Sequence, residues 1–174
     1  MRYPRGTPTQ PEIIAVALSK LELKPCDVFA DIGCGSGSVS ISAAALVQHV
    51  YAIDNRNEAI SATQDNIKEF GITNVKVLKG EASDLLADLY IDCAFVGGSG
   101  NIDSVLEILM RKTRRFVVSA VRVETVAEAL GIMKQNNKFK ELVQIQISRG
   151  HELAGGTMFK PENPVFLIVG GKQC

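Results

Sequence analysis

Short apolar runs alternate with segments of helical period along most of this chain, and that rhythm limits the fold more than any other feature. DVFADIG (27–33), VYAID (50–54), VKVLKG (75–80), IDCAFVGG (91–98) and RRFVVSAV (114–121) read as buried strands. SVSISAAALV, NEAISATQDNIKEFG, IDSVLEILMRK and VETVAEALGIMKQN read as helices among them, with Gly71 placed to terminate the second in the left-handed conformation. A further helix opens the chain at TPTQPE. There Thr9 and Glu12 have capping-box spacing, which makes Thr9 the expected N-cap, and Pro11 suits the first turn. Ile13, Ile14, Val16, Ala17, Leu18 and Leu21 give that helix its apolar face. Strand-helix alternation means a parallel sheet covered on both faces. Two last strands, FKELVQIQIS and PVFLIVGG, come with no helix between them and are expected to pair antiparallel at one edge. A length of 174 residues suits one domain.

The first strand runs into DIGCGSGS, where Gly33, Gly35 and Gly37 occupy alternate positions before a helix. In an open parallel sheet, ligands bind beyond the carboxyl ends of the strands. Glycine there permits positive φ and lets a ligand touch the backbone. A dinucleotide site asks for GxGxxG, but the third glycine position holds Ser38. Asp54 ends the second strand, 21 residues after Gly33, where a carboxylate can accept hydrogen bonds from both ribose hydroxyls. Asp31, at the end of strand one, suits a cationic group such as an amino-acid ammonium and sits poorly beside a pyrophosphate. DIGCGSG followed by YAID therefore resembles the S-adenosylmethionine fingerprint of class I methyltransferases. The competing readings are a nicotinamide dinucleotide site and a bare packing turn.

Lys and Arg together number 19, as do Asp and Glu, so no bulk positive field recruits nucleic acid. The four cysteines, Cys26, Cys34, Cys93 and Cys174, form no CxxC pair or Cys/His cluster; no metal site is expected, and reduced thiols in a cytoplasmic setting are. No signal-peptide core or membrane-length apolar run occurs. The fourth strand ends in VGGSG, without the proline and aromatic residues that amino-group methylases of adenine carry there.

Taken together, RGTPTQPEI, DIGCGSGSVSI, YAIDNRNEAI, VGGSG and SRGHELAGGTMFKPENPV resemble the cobalt-precorrin C15-methyltransferase (decarboxylating) family. The resemblance covers nearly the whole chain. It implies a single-domain, Rossmann-like class I methyltransferase fold: an α/β protein with a mostly parallel seven-stranded sheet and an antiparallel edge pair. It implies S-adenosylmethionine as methyl donor, C15 of a cobalt-precorrin tetrapyrrole as acceptor, and loss of carbon dioxide from the ring C acetate. Carried over by motif, Thr9, Gly33, Cys34, Gly35, Ser36, Gly37, Asp54, Glu81, Ala82 and Gly97 would contact the cofactor. Glu81 and Ala82 would meet the adenine, although Glu81 also suits a helix N-terminus. Gly98, Ser99 and Gly100 would align the substrate. Its carboxylates need local cations, with Arg149 foremost and Arg5 and Arg122 beside it; Arg2 and Lys160 are further candidates. Thr157 and Met158 would line the tetrapyrrole pocket, Met158 having a core role as its alternative. No acid-base dyad is expected: His49 precedes strand two, His151 lies in a late loop where it could approach the substrate but reads rather as a solvated residue, and Cys34 is a filler rather than a nucleophile. The segment ahead of the Pro-x-Thr region is shorter than in many relatives, which shortens the substrate lid or leaves it to a neighbouring subunit. A homotetramer is implied by the same resemblance. Two other readings stay open: a class I methyltransferase of another small molecule or tRNA, and a non-catalytic cofactor-binding module.

Overall fold

A computed structural model describes residues 1–4, 8–98 and 100–172. Its elements run α1 (Pro11–Leu21), β1 (Val28–Ile32), α2 (Ser38–Ala44), β2 (His49–Asp54), α3 (Asn57–Glu69), β3 (Val75–Lys79), α4 (Ala82–Asp88), β4 (Cys93–Val96), α5 (Ile102–Lys112), β5 (Arg115–Ala120), α6 (Val123–Gln135), β6 (Phe139–Ile145), β7 (Ser148–Leu153), β8 (Gly156–Pro161) and β9 (Val165–Gly171). Seven strands form one sheet in the order β3-β2-β1-β4-β5-β9-β6, and β7 pairs with β8 as a separate ribbon. The first five strands are mutually parallel; β9 runs antiparallel to both β5 and β6.

Strand burial follows position in the sheet. Every residue of β4 is buried, and all but the first of β1, because both lie centrally with helices on each face. The edge strand β3 is only half-buried. On one face Ile13 and Leu21 of α1 and Val39 and Ala43 of α2 pack against Phe29, Phe95, Val117 and Leu167. On the other, Leu86, Leu106, Leu109 and Met133, from α4, α5 and α6, close over Ile32, Val96, Phe116 and Ile168. Truncating one of the fully buried phenylalanines to alanine costs about 3–5 kcal/mol in such a core. α3 lies along β2 and β3 and ends with Gly71 at φ +65°, the left-handed residue expected there.

Two expectations are corrected. Thr9 is not the N-cap of α1. Gln10 is, in an extended conformation without a side-chain cap bond, because Pro11 fixes the helix to begin at itself; Glu12 meanwhile pairs with Arg149 instead of returning to the cap. The antiparallel pair does close one edge of the sheet, with β9 on its inner side between β5 and β6 and with Leu167, Ile168 and Val169 fully buried. Only β6 of that pair is at the margin. Finally, the stretch between β6 and β9 is no plain loop. Residues 148–161 form an exposed hairpin whose strands bury neither face, so they lack the period-2 hydrophobic alternation that marks a half-buried strand. The short α4 is likewise not among the expected helices; its seven residues bury only Leu86.

Candidate active site

The carboxyl tips of β1, β2 and β4 meet around the glycine loop. Gly33 and Cys34 both donate their N–H to the carbonyl of Ile53, at 2.8 and 3.0 Å, which fastens the end of β1 to β2. Gly33 has φ +75°, and a Cβ there would stand 2.9 Å from the backbone nitrogen of Gly98. The two glycine segments thus approach at backbone distance, which explains why VGGSG follows β4. Behind the loop, α3 holds it in place. Thr63 donates to the carbonyl of Gly35 at 3.0 Å, Asn66 donates to that of Ser36 at 2.8 Å, and a Cβ on Gly37 would meet the Thr63 methyl at 2.8 Å.

Two carboxylates face this cradle with different electrostatics. Asp54 is buried; burial works to raise its pKa, but hydrogen bonds from the Arg56 side chain, the Arg56 N–H and the Gly35 N–H outweigh it and hold the carboxyl below its usual range. The Arg56 guanidinium straddles it, with Nε 3.0 Å from Oδ1 and a terminal nitrogen 2.9 Å from Oδ2. Asp31 is 1% exposed, and burial pushes its pKa up to about 7; a hydrogen bond from Ser40 opposes the rise and the charge of Asp54 adds to it. Ser40 donates to Oδ2 at 2.5 Å, whereas Oδ1 has no partner among the described residues. A buried carboxylate oxygen without a donor is costly, and an ammonium in the cleft would supply one.

A cleft of about 400 Å3 opens over these groups. Thr9, Gly33, Cys34, Gly35, Ser36, Asp54, Glu81, Ala82 and Gly97 all line it, as do Asp31, Gly98 and Gly100. Gly37 stands behind the wall, against Thr63. Glu81 is the N-cap residue of α4 and accepts a hydrogen bond from Asn55 at 2.8 Å, so the β3 and β2 tips are tied at the rim. Cys34 is buried, and burial raises its thiol to about 12, which leaves no thiolate at neutral pH. Tyr3, Pro4 and Arg56 also line the cleft, and sequence reasoning did not single out any of them for cofactor contact. Arg56 had a usable signal, a cation two residues after the strand-end acid.

The expected substrate groups do not gather there. Arg149 lies on β7, with its guanidinium donating to Glu12 at 2.9 and 3.0 Å, to Glu162 at 2.8 Å and to Gln10 at 3.0 Å. These partners raise its pKa above the ordinary guanidinium value, with Glu12 foremost. Arg149 therefore clamps the hairpin to α1. Arg122 is the N-cap residue of α6, exposed and 3.7 Å from Glu124. Thr157 and Met158 are exposed on β8, Met158 at 48%, which removes the core alternative. The hairpin register sets Arg149 opposite Lys160 and His151 opposite Met158. His49 opens β2 with its ring edge-on to Tyr51. Arg2 pairs with Asp65. Arg5 and Ser99 lie outside the described residues.

The strand order, with its late antiparallel insertion, and the acidic glycine cradle define the class I methyltransferase fold. A S-adenosylmethionine-dependent O-methyltransferase from Thermotoga maritima, 18% identical, shares it with a TM-score of 0.78 over 98% of this chain and 68% of that one, a likeness of fold alone. The chain belongs to the precorrin methyltransferase domain family, whose model matches residues 4–171. It is 57% identical to the probable cobalt-precorrin-6B C(15)-methyltransferase (decarboxylating) of Methanosarcina acetivorans, over 97% of this chain and 96% of that protein. Among solved structures it resembles the precorrin 8w decarboxylase of Methanobacterium thermoautotrophicum, 36% identical, TM-score 0.90, covering 98% of this chain and 94% of that one. It also resembles a precorrin-6y C5,15-methyltransferase from Geobacter metallireducens, 30% identical, TM-score 0.91, again over 98% and 94%.

Proposed function

We propose that this protein is a S-adenosylmethionine-dependent C-methyltransferase that methylates C15 of cobalt-precorrin-6B and removes the ring C acetate carboxyl as carbon dioxide. The observation that carries the reading is the donorless Oδ1 of Asp31, set in a glycine cradle beside the ionised Asp54. That pair matches a molecule with an ammonium at one end and a ribose at the other, and family membership supplies the acceptor class.

Bound S-adenosylmethionine supplies an activated methyl group on a sulfonium centre. The chain supplies alignment. Gly33, Gly35 and Ser36 form the floor and Asp31 receives the ammonium. Asp54 would accept from the ribose hydroxyls in place of the Arg56 guanidinium, because Arg56 and the Gly35 N–H occupy all four of its acceptor sites as it stands. Glu81 and Ala82 would border the base. Gly97, Gly98 and Gly100 carry no side chains, leaving a flat acceptor room to reach the methyl carbon in line. Ser99 and Arg5 belong to the same assignment by motif. In the decarboxylation the bond to the carboxyl carbon breaks, its electron pair passes into the conjugated macrocycle, and a proton replaces the lost group. No protein acid-base pair is needed for that flow. Arg122, Lys160 and the hairpin residues Thr157 and Met158 are the groups available to substrate carboxylates and edges; Arg149, already saturated by acids, shapes the ribbon. We further assign a single domain, a homotetrameric assembly and a cytoplasmic setting by family resemblance.

Calorimetric titration of the full chain with S-adenosylhomocysteine and, separately, NAD tests the cofactor. Binding of the first alone is expected; binding of NAD alone overturns the reading. Mass spectrometry of the corrinoid product is expected to show one methyl gained and one carbon dioxide lost, and a product with the methyl gain only removes the decarboxylation.

A further inference from the structure

Asn66 is wholly buried on α3, one turn beyond Thr63, yet its amide serves two segments remote from the helix. Its Nδ2 donates to the carbonyl of Ser36 in the glycine loop and to the carbonyl of Arg2, both at 2.8 Å. Its Oδ1 accepts from the N–H of Arg2 at 2.6 Å. The side chain therefore pairs with Arg2 as a neighbouring strand would. The next two residues, Tyr3 and Pro4, line the same cleft as Ser36. Three outer links hold the same segment: the Met1 ammonium pairs with Glu69 at 3.4 Å and Arg2 with Asp65, both on α3, and Ser38 at the start of α2 donates to the Met1 sulfur at 3.5 Å.

We propose that Asn66 is a positioning residue for the cofactor, fastening the Met1–Pro4 strap and the glycine loop to one side chain so that the two move together. The inference rests on the cofactor reading above and adds to it a coupling between two parts of the site. Met1, Arg2 and Tyr3 are exposed and bury little apolar surface; such a segment opens at little cost unless polar bonds retain it. With the strap away, one N–H and the oxygen of Asn66 lose their partners, a penalty for a buried amide. Closing the strap removes that penalty and at the same time stiffens the carbonyl of Ser36. A ligand touching both Tyr3 and the loop thus meets a site assembled in advance.

The test uses three variants of the full chain: Asn66→Ala, deletion of residues 2–4, and the two combined. Each is titrated with S-adenosylhomocysteine, and hydrogen exchange of the loop amides is followed without ligand. The deletion is expected to weaken binding about tenfold, the scale of one hydrogen bond lost, with the thermal midpoint kept and exchange at residues 33–38 accelerated. Asn66→Ala weakens binding at least as much, and the combined variant is no weaker than Asn66→Ala alone. The proposal is overturned if the deletion leaves both affinity and exchange unchanged, or if the two losses multiply. Should Asn66→Ala not fold, the deletion decides alone, since it touches no core residue. Should the intact chain bind no S-adenosylhomocysteine, the cofactor reading falls, and the exchange comparison still decides whether strap and loop are coupled.

Discussion

Replacing Asp31 by asparagine is expected to make the protein more stable and less able to bind its cofactor. The carboxyl is 1% exposed, with one oxygen served by Ser40 and the other by no described residue. Its pKa rises from 3.8 in a free chain to about 7 when folded. At 1.36 kcal/mol per decade of proton affinity, that gap is about 4 kcal/mol. The sign follows from proton counting. Between those two values the folded protein holds a proton that the unfolded chain has released, so stability falls as pH rises. The cost is absent below pH 3.8 and complete above about 7. Asparagine has the shape of the protonated acid and never pays this penalty. In urea titrations, Asp31→Asn should exceed the parent by about 4 kcal/mol at pH 8.5, and by well under 1 kcal/mol at pH 4. An ammonium placed against Oδ1 favours the ionised acid, so cofactor binding below pH 7 should release a proton and weaken about tenfold per pH unit. Asp54 and the Arg56 guanidinium straddling it, the charges nearest in the cleft, are ionised throughout that range and do not contribute the slope. The variant should lose both the affinity and its pH dependence. A stability gain equal at the two pH values, or none at pH 8.5, would refute the premise that the acid is buried without an adequate partner.

Other consequences are measurable in the same preparations. Asp54→Ala should weaken S-adenosylhomocysteine binding by about 1–3 kcal/mol by calorimetry, as a buried polar partner is lost; an unchanged dissociation constant removes the ribose assignment. Gly33→Ala forces a Cβ to 2.9 Å from the Gly98 nitrogen at a φ of +75°, so binding should fall by at least an order of magnitude and stability by about 1–3 kcal/mol, seen in denaturant melts. Cys34, raised to about 12, should resist iodoacetamide at pH 8 in the native protein, while exposed Cys26 is alkylated; peptide mass mapping reads the difference. Arg149→Ala should leave cofactor affinity intact and speed exchange across the β7–β8 hairpin, whose clamp to α1 it removes; loss of cofactor binding would contradict that role.

Of the five parallel strands, β1, β4 and β5 were readable because helices bury them on both faces and they appear as apolar runs, while the half-buried edge strand β3 showed instead as an alternation of apolar residues with Lys. The cradle was readable because its demands are local: Gly33 must clear Gly98, and Asp54 must end β2. What the sequence concealed depends on long-range partners. Nothing in SRGHEL or GTMFKP announces a strand, since each forms only by pairing with the other. The same run pointed to Arg149, and what it could not show is that Glu12 of α1 and Glu162 pair with that guanidinium. Thr9 had the spacing of a cap, but Pro11 moved the helix start by one residue. PVFLIVGG was readable as one strand of an antiparallel pair at one edge, but not that it is the inner strand of the pair, because insertion between β5 and β6 is decided by the sheet as a whole.

That insertion has a consequence for biogenesis. β9 is made after every other strand, yet β5 and β6 meet only through it. While the chain is being synthesised, β5 therefore presents an unpaired apolar margin, and β6 with its hairpin has no neighbour to join. The half-built protein is most prone to aggregate in that interval, and a ribosome stalled before residue 165 would release a chain carrying a complete cofactor cradle on a sheet unable to close.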